Sequence, residues 1–313
     1  MVLFLGVTFA VAASAGGGIS FFLLFRRQHA RLKDEELPRN IPGATENDAV
    51  SLHSVSKLTS AERKLLVEAF LVGSDSKWLA GIDDHDNNAD KDEGKNNQQS
   101  SSSTENDTND RESSAVAQRQ WKITEHILSC MISFAEHYGH VVVARDKTKG
   151  TFLGSVSIIP PYKNHKLFLA HMERSLWHLK SKKPLPEEIG LLAAARWQAF
   201  EVTTMREHDR IMDHQSHFYI TNLGVAQNAQ GQGVGRILSQ VTIQIAAGTP
   251  LFLECHDGNL VFYEKMGYTC QQRYRVAVPP LTTSSSSLSE AEAESYNAVP
   301  YYYNAMTHQP KKT

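Results

Sequence analysis

The residues between Phe218 and Tyr268 include, in order, the groups that an acyl transfer requires. A strand-like run that ends at Val225 leads into Gln230-Gly231-Gln232-Gly233-Val234-Gly235, and Glu254 and Tyr263 follow. Glycines between a strand and a helix let the backbone approach an anion closely, and the free N–H groups of the first helical turn bind phosphates. Carboxylates and phenols exchange protons with a reacting group. This order predicts a site that binds a pyrophosphate and places a phenol beside a thioester.

Apolar residues at helical spacing follow the glycine stretch, so a helix should begin between Gly233 and Gly235. These residues are Val234, Ile237, Leu238, Val241, Ile245 and Ala246. In the first turn, Arg236 can add a charge-assisted hydrogen bond to a phosphate. The stretch is not a Walker loop, because no Gly-Lys-Ser/Thr follows, and it lacks the Gly-x-Gly-x-x-Gly spacing of a dinucleotide site. For the stretch taken alone, a glycine-rich connection without a ligand is the alternative.

The wider pattern resembles the GNAT family of acetyl-CoA-dependent N-acetyltransferases. In it, Gln-x-x-Gly-x-Gly follows a strand that ends in Leu223-Gly224-Val225, and Leu253-Glu254-Cys255 and Asn259 come later. The last part, Phe262-Tyr263-Glu264-Lys265-Met266-Gly267-Tyr268, is most similar to the branch that contains puromycin N-acetyltransferase. The part of the chain that carries the motifs runs from about Ser216 to Val278.

The resemblance implies a role for each matched residue. Leu223, Gly224 and Val225 would pair through their backbone with the pantetheine arm of acetyl-CoA, and the Val225 N–H would polarise the thioester carbonyl. Asn259 would hydrogen-bond near the end of that arm. Tyr263 would protonate the departing coenzyme A thiolate. Seven consecutive residues would bind the pyrophosphate: Gln230, Gly231, Gln232, Gly233, Val234, Gly235 and Arg236.

A proton must also leave the attacking amine, and two residues are candidate bases. Glu254 lies on the strand after the helix and can act directly or through water. His217 lies on the strand that leads into the site, and a neutral imidazole accepts protons near pH 7. A solvated strand residue is the alternative for Glu254, and a structural or substrate-contacting residue is the alternative for His217. For Tyr263 the alternative is an aromatic side chain that fills a seam between helix and sheet.

The composition argues against several other functions. The chain has 313 residues, with 32 Lys and Arg, 34 Asp and Glu and a formal net charge of −2. This balance gives no reason to expect nucleic-acid binding. Three scattered cysteines predict neither a disulfide framework nor a metal cluster. His208, His214 and His217 are close in sequence, but their spacing matches no standard zinc pattern, so no metal is expected.

The N-terminal residues predict a membrane anchor. Val2 to Phe25 contains no charged residue, and roughly 20 apolar residues are enough to cross a bilayer. Arg26 and Arg27 follow at once, which by the positive-inside rule places the catalytic domain in the cytosol. That side also holds acetyl-CoA. A signal peptide cleaved near Ala13-Ser14-Ala15, which would send the chain to the secretory pathway, and an organelle presequence are the alternatives.

The predicted organisation has four parts. Residues 1–25 form the anchor, 26–57 a juxtamembrane linker, 58–308 the N-acetyltransferase domain and 309–313 a tail. The linker is polar and contains Pro38 and Pro42, which is typical of a connecting segment.

Two insertions are expected inside the domain, at residues 81–118 and 281–295. The first is dominated by Asp, Asn, Gln and Ser, and such a composition buries too little apolar surface to offset the entropy of ordering. We therefore expect it to be disordered. The second is rich in Ser, Ala and Glu and has no periodicity that would favour a strand.

The remaining segments predict helices and strands. Thr59-Ser60-Ala61-Glu62 fits a capping box that opens a helix. Further helices are predicted at Trp121–Phe134, Leu167–Leu179 and Glu187–Met212. Further strands are predicted at His140–Arg145, Thr151–Ile159 and Tyr268–Val278. The resemblance implies a last antiparallel strand at Pro300–Met306, and a flexible tail is the alternative.

The resemblance implies a mixed α/β (α+β) fold with a mostly antiparallel central sheet flanked by helices. Two strands should splay apart where acetyl-CoA binds. The helices that precede the central strand would cover the amine acceptor. Four of their residues can contact it: Trp177, Trp197, Phe200 and Glu207. For the two tryptophans and Phe200, packing between helices is the alternative.

The predicted function is transfer of acetyl from acetyl-CoA to an amine, by direct attack in a ternary complex, from a domain tethered to a membrane. A module of the same fold that has lost catalysis, and that binds coenzyme A or a protein partner at a membrane, is the alternative. Nothing in the sequence identifies the acceptor.

Overall fold

The computed structural model describes residues 49–71, 105–161, 191–213, 215–277 and 300–310. Seven strands and five helices follow one another along these residues: β1 (Val50–Val55), α1 (Ser60–Leu71), α2 (Glu105–Tyr138), β2 (His140–Asp146), β3 (Phe152–Ile159), α3 (Leu191–Met212), β4 (Phe218–Val225), α4 (Val234–Ala246), β5 (Leu251–His256), α5 (Asp257–Lys265), β6 (Thr269–Val276) and β7 (Tyr301–His308). A short 3₁₀ turn, Gln227–Ala229, lies between β4 and α4.

All seven strands belong to one sheet with the order β1-β2-β3-β4-β5-β7-β6. Every pairing is antiparallel except that between β4 and β5. Strands that alternate apolar and polar residues suit such a sheet, because each can bury one face. The mixed α/β fold with a mostly antiparallel sheet flanked by helices is therefore confirmed.

The single parallel pairing is also the shortest. Strands β4 and β5 pair only at Phe218 with Leu251 and at Tyr219 with Phe252. Beyond these two pairs the strands diverge, while β4 stays paired with β3 as far as Val225. The result is the splayed strand pair in the centre of the sheet that the sequence predicted.

Helices cover both faces of the sheet. On one face, Leu66 and Phe70 of α1 cover Gly224, and α2 packs beside α1. On the opposite face, Leu238 of α4 covers Gly154, which pairs with Val225. Helix α3 packs against β5, β6 and β7. Helices α2 and α3 also contact each other, because Ile127 and Trp197 share a small apolar cluster.

The capping box before α1 is confirmed. The Thr59 N–H donates to the Glu62 carboxylate at 2.8 Å, and the Glu62 N–H donates to the Thr59 hydroxyl at 3.2 Å. Glu62 also pairs with Arg145 at the end of β2. Helix α1 therefore begins at a fixed point relative to the sheet.

Two predicted boundaries are wrong. The linker predicted over 26–57 includes β1, because Val50 and Leu52 alternate with polar residues and bury their side chains beside β2. The disordered segment predicted over 81–118 includes the first turns of α2, which begins at Glu105. Once the apolar stripe from Trp121 onward has formed a helix, each added residue gains a hydrogen bond without a new nucleation cost, so the helix extends into polar sequence.

Several predictions fall outside the described residues. These are the anchor at 1–25, the linker up to residue 48, the helix at Leu167–Leu179 with Trp177, the insertion at 281–295 and the last three residues of the tail. Within the described ranges, no helix is both long enough and apolar enough to cross a membrane.

Candidate active site

The turn between β4 and α4 has the backbone shape that an anion site requires. Gly231 and Gly233 have φ angles of +75° and +82°, in the left-handed region that residues with a side chain rarely adopt. Gly233 is the N-cap of α4, and a Cβ atom on either glycine would meet open space. The first N–H groups of a helix have no partner within it, so those of α4 point toward this turn.

The other predicted pyrophosphate residues form the turn or its support. Gln230 donates from its side-chain amide to the Val225 carbonyl at 3.3 Å, and Gln232 donates to the Asn228 carbonyl at 2.8 Å. Val234 is buried in the core, whereas Arg236 is exposed on the first turn of α4. The turn is therefore held by side chains, and a cation lies beside its N–H groups.

The last residues of β4 present a free backbone edge to the splay. The Ala226 N–H donates to the Leu153 carbonyl at 2.9 Å, on the side of β3. Successive residues of a strand direct their N–H groups to opposite edges. The N–H groups of Val225 and Leu223 therefore point away from β3, toward the space from which β5 has diverged. Gly224 lies between them, with its missing side chain facing Leu66 and Phe70 of α1.

A pocket of about 120 Å³ opens at this splay. Its two walls are Ile220–Leu223 of β4 and Leu253–His256 of β5, and Asn259 and Tyr263 of α5 close one end. Residues of α2, α3 and β7 line the remaining sides. The separation of the two strands creates the pocket, since paired strands would leave no room between them.

Tyr263 lines this pocket from the middle of α5 and is 8% exposed. Its ring packs edge-on against Phe262 and Tyr268. Burial raises the pKa of Tyr263 well above its ordinary value, and the nearby Cys255 and Tyr268 add to the shift. A phenol is protonated at neutral pH even at its ordinary pKa, so this hydroxyl carries a proton there.

Glu254 lines the pocket from β5 and is held by a neighbouring phenol. The Tyr219 hydroxyl donates to one of its carboxylate oxygens at 2.8 Å. Tyr219 belongs to the last residue pair before β4 and β5 separate. The carboxylate is thus fixed at the point where the splay begins.

His217 does not line the pocket. Its Nε2 lies 2.7 Å from Nε2 of His208, and its Nδ1 lies 2.6 Å from the Gln215 carbonyl. Burial, followed by the neighbouring His208, lowers the pKa of His217 to about 4. Both ring nitrogens are engaged within the protein, which is the structural role that was the alternative to a catalytic one.

Of the described residues that were predicted to contact the amine acceptor, two line the pocket and one does not. Trp197 and Phe200 of α3 line the pocket, and their rings stack at 5.6 Å. Glu207 lies about two helical turns beyond Phe200 and does not line the pocket. It accepts hydrogen bonds from Arg206 at 3.0 Å and Arg210 at 2.9 Å.

Sequence reasoning missed several residues of the pocket. These are Thr124, Asn222, His256, Tyr301 and Tyr303. Asn222 and Thr124 each place a polar group within an apolar pattern, one on a strand and one on the apolar stripe of a helix, and this was a signal that could have been used. The two tyrosines carried no such signal, because β7 joins the site only through its pairing with β5.

Three solved structures of acetyltransferases are similar to this chain. One from Corynebacterium glutamicum, described as a histone acetyltransferase HPA2 and related acetyltransferase, has 16% identity and a TM-score of 0.40, covering 85% of this chain and 98% of that one. An agmatine N-acetyltransferase has 13% identity and a TM-score of 0.42, covering 84% and 100%. The polyamine N-acetyltransferase of Drosophila melanogaster has 13% identity and a TM-score of 0.40, covering 83% and 99%. These scores lie below 0.5, so the likenesses carry no argument about activity.

No curated protein matches the chain in sequence. One family profile does match, and the residues it covers run from 190 to 268. This span contains α3, β4, the glycine turn, α4, β5, α5 and the whole motif that ends at Tyr268. The chain therefore contains a segment that matches the acetyltransferase (GNAT) family.

Proposed function

We propose that this protein transfers acetyl from acetyl-CoA to an amine, by direct attack of the amine while both substrates are bound. The observation that carries the proposal is the edge of Leu223–Val225 that does not pair with β5, which runs from a pocket lined by Leu223 and Tyr263 to the glycine turn. A linear, amide-containing arm that ends in a pyrophosphate is complementary to this arrangement, because its amides can pair like an added strand.

The residues present fit acetyl-CoA. The left-handed Gly231 and Gly233 leave open space beside the N-terminus of α4, where backbone N–H groups and Arg236 can bind a pyrophosphate. The Leu223 and Val225 backbone would hold the pantetheine arm, and Asn259 would bind near its end. Acetyl-CoA supplies an acetyl group as a thioester, whose thiolate is a good leaving group. The Val225 N–H would stabilise the charge that develops on the acetyl oxygen.

Two proton transfers remain for the side chains of the pocket. The amine loses one proton when its nitrogen bonds to the acetyl carbon, and Glu254 is placed to accept it directly or through water. The carbon–sulfur bond breaks, and the Tyr263 hydroxyl, which lines the pocket, is placed to protonate the sulfur. His217 is the weaker candidate base, since both of its ring nitrogens already have partners.

We also propose that residues 1–25 anchor the protein in a membrane, with the catalytic domain on the cytosolic side. The support is the uncharged stretch Val2–Phe25 followed by Arg26 and Arg27. Translation in the presence of microsomes should give a chain that resists carbonate extraction and carries no glycan at Asn106. A glycan at Asn106 would place the domain in the lumen instead.

Turnover of acetyl-CoA with a broad panel of amines tests the proposed activity. The full-length chain in detergent micelles should release one coenzyme A thiol for each acetylated amine formed. Acetyl-CoA binding without release of thiol on any amine would contradict the proposal and favour the alternative, a non-catalytic module that binds coenzyme A. The narrower resemblance to the puromycin N-acetyltransferase branch stays a prediction, which inclusion of puromycin in the panel tests.

A further inference from the structure

The pocket contains two buried polar side chains that the protein itself does not satisfy. Asn222 is 7% exposed, and neither its amide nitrogen nor its amide oxygen has a hydrogen-bond partner among the described residues. Thr124 is 6% exposed, and its hydroxyl also has no hydrogen-bond partner among the described residues. Most buried polar groups in folded proteins have a partner, so a pair of exceptions in one pocket indicates groups that bind a ligand.

Both side chains belong to the same side of the sheet. Residues two apart on a strand share a face, so Asn222 faces the same way as Gly224, which is covered by Leu66 and Phe70 of α1. Thr124 lies on α2, which packs on that face together with α1. The Asn222 amide therefore lines the pocket from β4, and the Thr124 hydroxyl lines it from α2 on the same side of the sheet.

The rest of the lining is apolar and aromatic. Trp197 stacks on Phe200, and Phe200 meets Tyr303 edge-on with ring centroids 5.0 Å apart. Among the lining residues that the structure describes, Glu254 is the only carboxylate, and there is no lysine or arginine. Aromatic walls favour flat apolar groups, whereas a ligand with several positive charges would be desolvated here with only one carboxylate to balance them.

The size of the pocket limits the acceptor further. Its volume of about 120 Å³ is close to the roughly 150 Å³ of a cavity that holds one benzene molecule. This space is therefore on the scale of a single ring.

We propose that the acceptor is a small monoamine with a flat, apolar body that carries one hydrogen-bonding group, and that Asn222 and Thr124 bind that group. This inference rests on the proposed acetyl transfer. The ring lies between α2 and α3, the amine reaches Glu254, and the polar substituent bonds to the amide of Asn222. A linear polyamine is disfavoured by the same lining.

Initial rates with a matched series of amines test the proposal. The series contains phenethylamine, its three ring-hydroxylated forms and spermidine. For the full-length protein, at least one hydroxylated form should exceed phenethylamine in kcat/KM by roughly three- to tenfold, the range that one net hydrogen bond supplies. Spermidine should be the poorest acceptor.

Substitutions then identify the residues that bind the ring hydroxyl of the amine. Asn222→Leu should bring the ratio of hydroxylated to plain amine close to one by raising the KM for the hydroxylated amine, with the KM for acetyl-CoA unchanged. Thr124→Val should lower the same ratio. Ser157→Ala is the matched control, because Ser157 pairs with Asn222 across the sheet and its buried hydroxyl also lacks a partner among the described residues, yet it does not line the pocket. It should leave the ratio unchanged.

Three results would overturn the proposal. One is a preference for spermidine, the second is a ratio that neither Asn222→Leu nor Thr124→Val changes, and the third is a change confined to the KM for acetyl-CoA. If Asn222→Leu does not fold, Thr124→Val decides between these outcomes. Absence of acetylation of every amine would instead contradict the proposed function itself, so the two failures are distinguishable.

Discussion

The two ends of strand β4 differ in whether they pair with β5. At its start, Phe218 and Tyr219 pair with β5, and the adjacent His217 is locked between His208 and a backbone carbonyl. At its end, Leu223–Val225 does not pair with β5, and Leu223 lines the pocket. Strand pairing, rather than the kind of residue, therefore decides which end can react. The predictions below test this contrast, from the largest expected effect to the smallest.

Removal of the Tyr263 hydroxyl should have the largest effect. Tyr263→Phe deletes the proposed proton donor and keeps the ring that packs against Phe262 and Tyr268. We expect kcat to fall by about 10²–10⁴-fold, the usual contribution of a general acid, while the Kd for acetyl-CoA, measured by calorimetry, stays within threefold. Tyr268→Phe is the control, since Tyr268 is buried against Thr242 and does not line the pocket. Equal losses in both variants would contradict the assignment.

Neutralising Glu254 should have the next largest effect. Glu254→Gln keeps the size of the side chain and removes the charge that accepts a proton. We expect kcat/KM for the amine to fall by roughly 10²-fold, at the low end for a general base because water can take over part of the role. The exposed Glu264 of α5 offers a control, and Glu264→Gln should keep full activity. A Glu254→Gln variant as active as the wild type would remove the carboxylate from the mechanism.

A side chain in the glycine turn should weaken acetyl-CoA binding. Gly233→Ala puts an ordinary residue at a φ of +82°, which costs about 1–2 kcal/mol. Relief of this strain would move the N–H groups at the start of α4, so the Kd for acetyl-CoA should rise by roughly tenfold, the equivalent of about 1.4 kcal/mol.

The control for the turn separates strain from binding. Gly150→Ala, in the turn between β2 and β3, meets the same kind of strain at a φ of +67° and the same open space. It should lower the unfolding temperature by a similar amount and leave the Kd unchanged. A similar rise in Kd for both variants would mean that the turn of Gly233 has no special role.

Substitution of His217 should have the smallest effect on activity. His217→Gln should change kcat by less than threefold, because the imidazole does not line the pocket. A loss as large as that of Glu254→Gln would restore His217 as the base and contradict the contrast between the two ends of β4.

The same histidine should instead affect stability at low pH. The pKa of His217 is lowered to about 4 in the folded protein, against about 6.5 in an unfolded chain. Between these values the unfolded state binds more protons, so stability falls as the pH decreases from 6.5 toward 4. The unfolding temperature of the wild type should drop between pH 7 and pH 5, and that of His217→Gln should drop less. Equal drops would show that other groups control this pH dependence.

Most of the sheet could be predicted from the sequence. Periodicity gave β2, β3 and β6 within about three residues, since each strand has a run of β-branched or aromatic residues. Strand β7 was expected from the family resemblance. The capping residues of α1 were also readable, because Thr59 and Glu62 interact locally. Strand β1 was missed, because only Val50 and Leu52 are buried in it and its pairing with β2 lies far away in sequence.

The parts of the candidate site whose geometry is local could be located from the sequence. The glycine turn and Tyr263 could be read from short motifs, since the turn and α5 form from adjacent residues. The position of His217 could not, because it depends on contact with His208 of helix α3. Asn222 and Thr124 come together only when α2 packs on β4, and no short motif records that contact.

Hydrogen exchange with and without acetyl-CoA tests the central claim most directly, because it reports on each end of β4 separately. The claim is that the end of the strand, with the glycine turn, is the acetyl-CoA site and that its beginning is not. Addition of acetyl-CoA should slow exchange in residues 223–236 and leave that in residues 217–219 unchanged. Unchanged exchange in residues 223–236 at saturating acetyl-CoA would contradict the account.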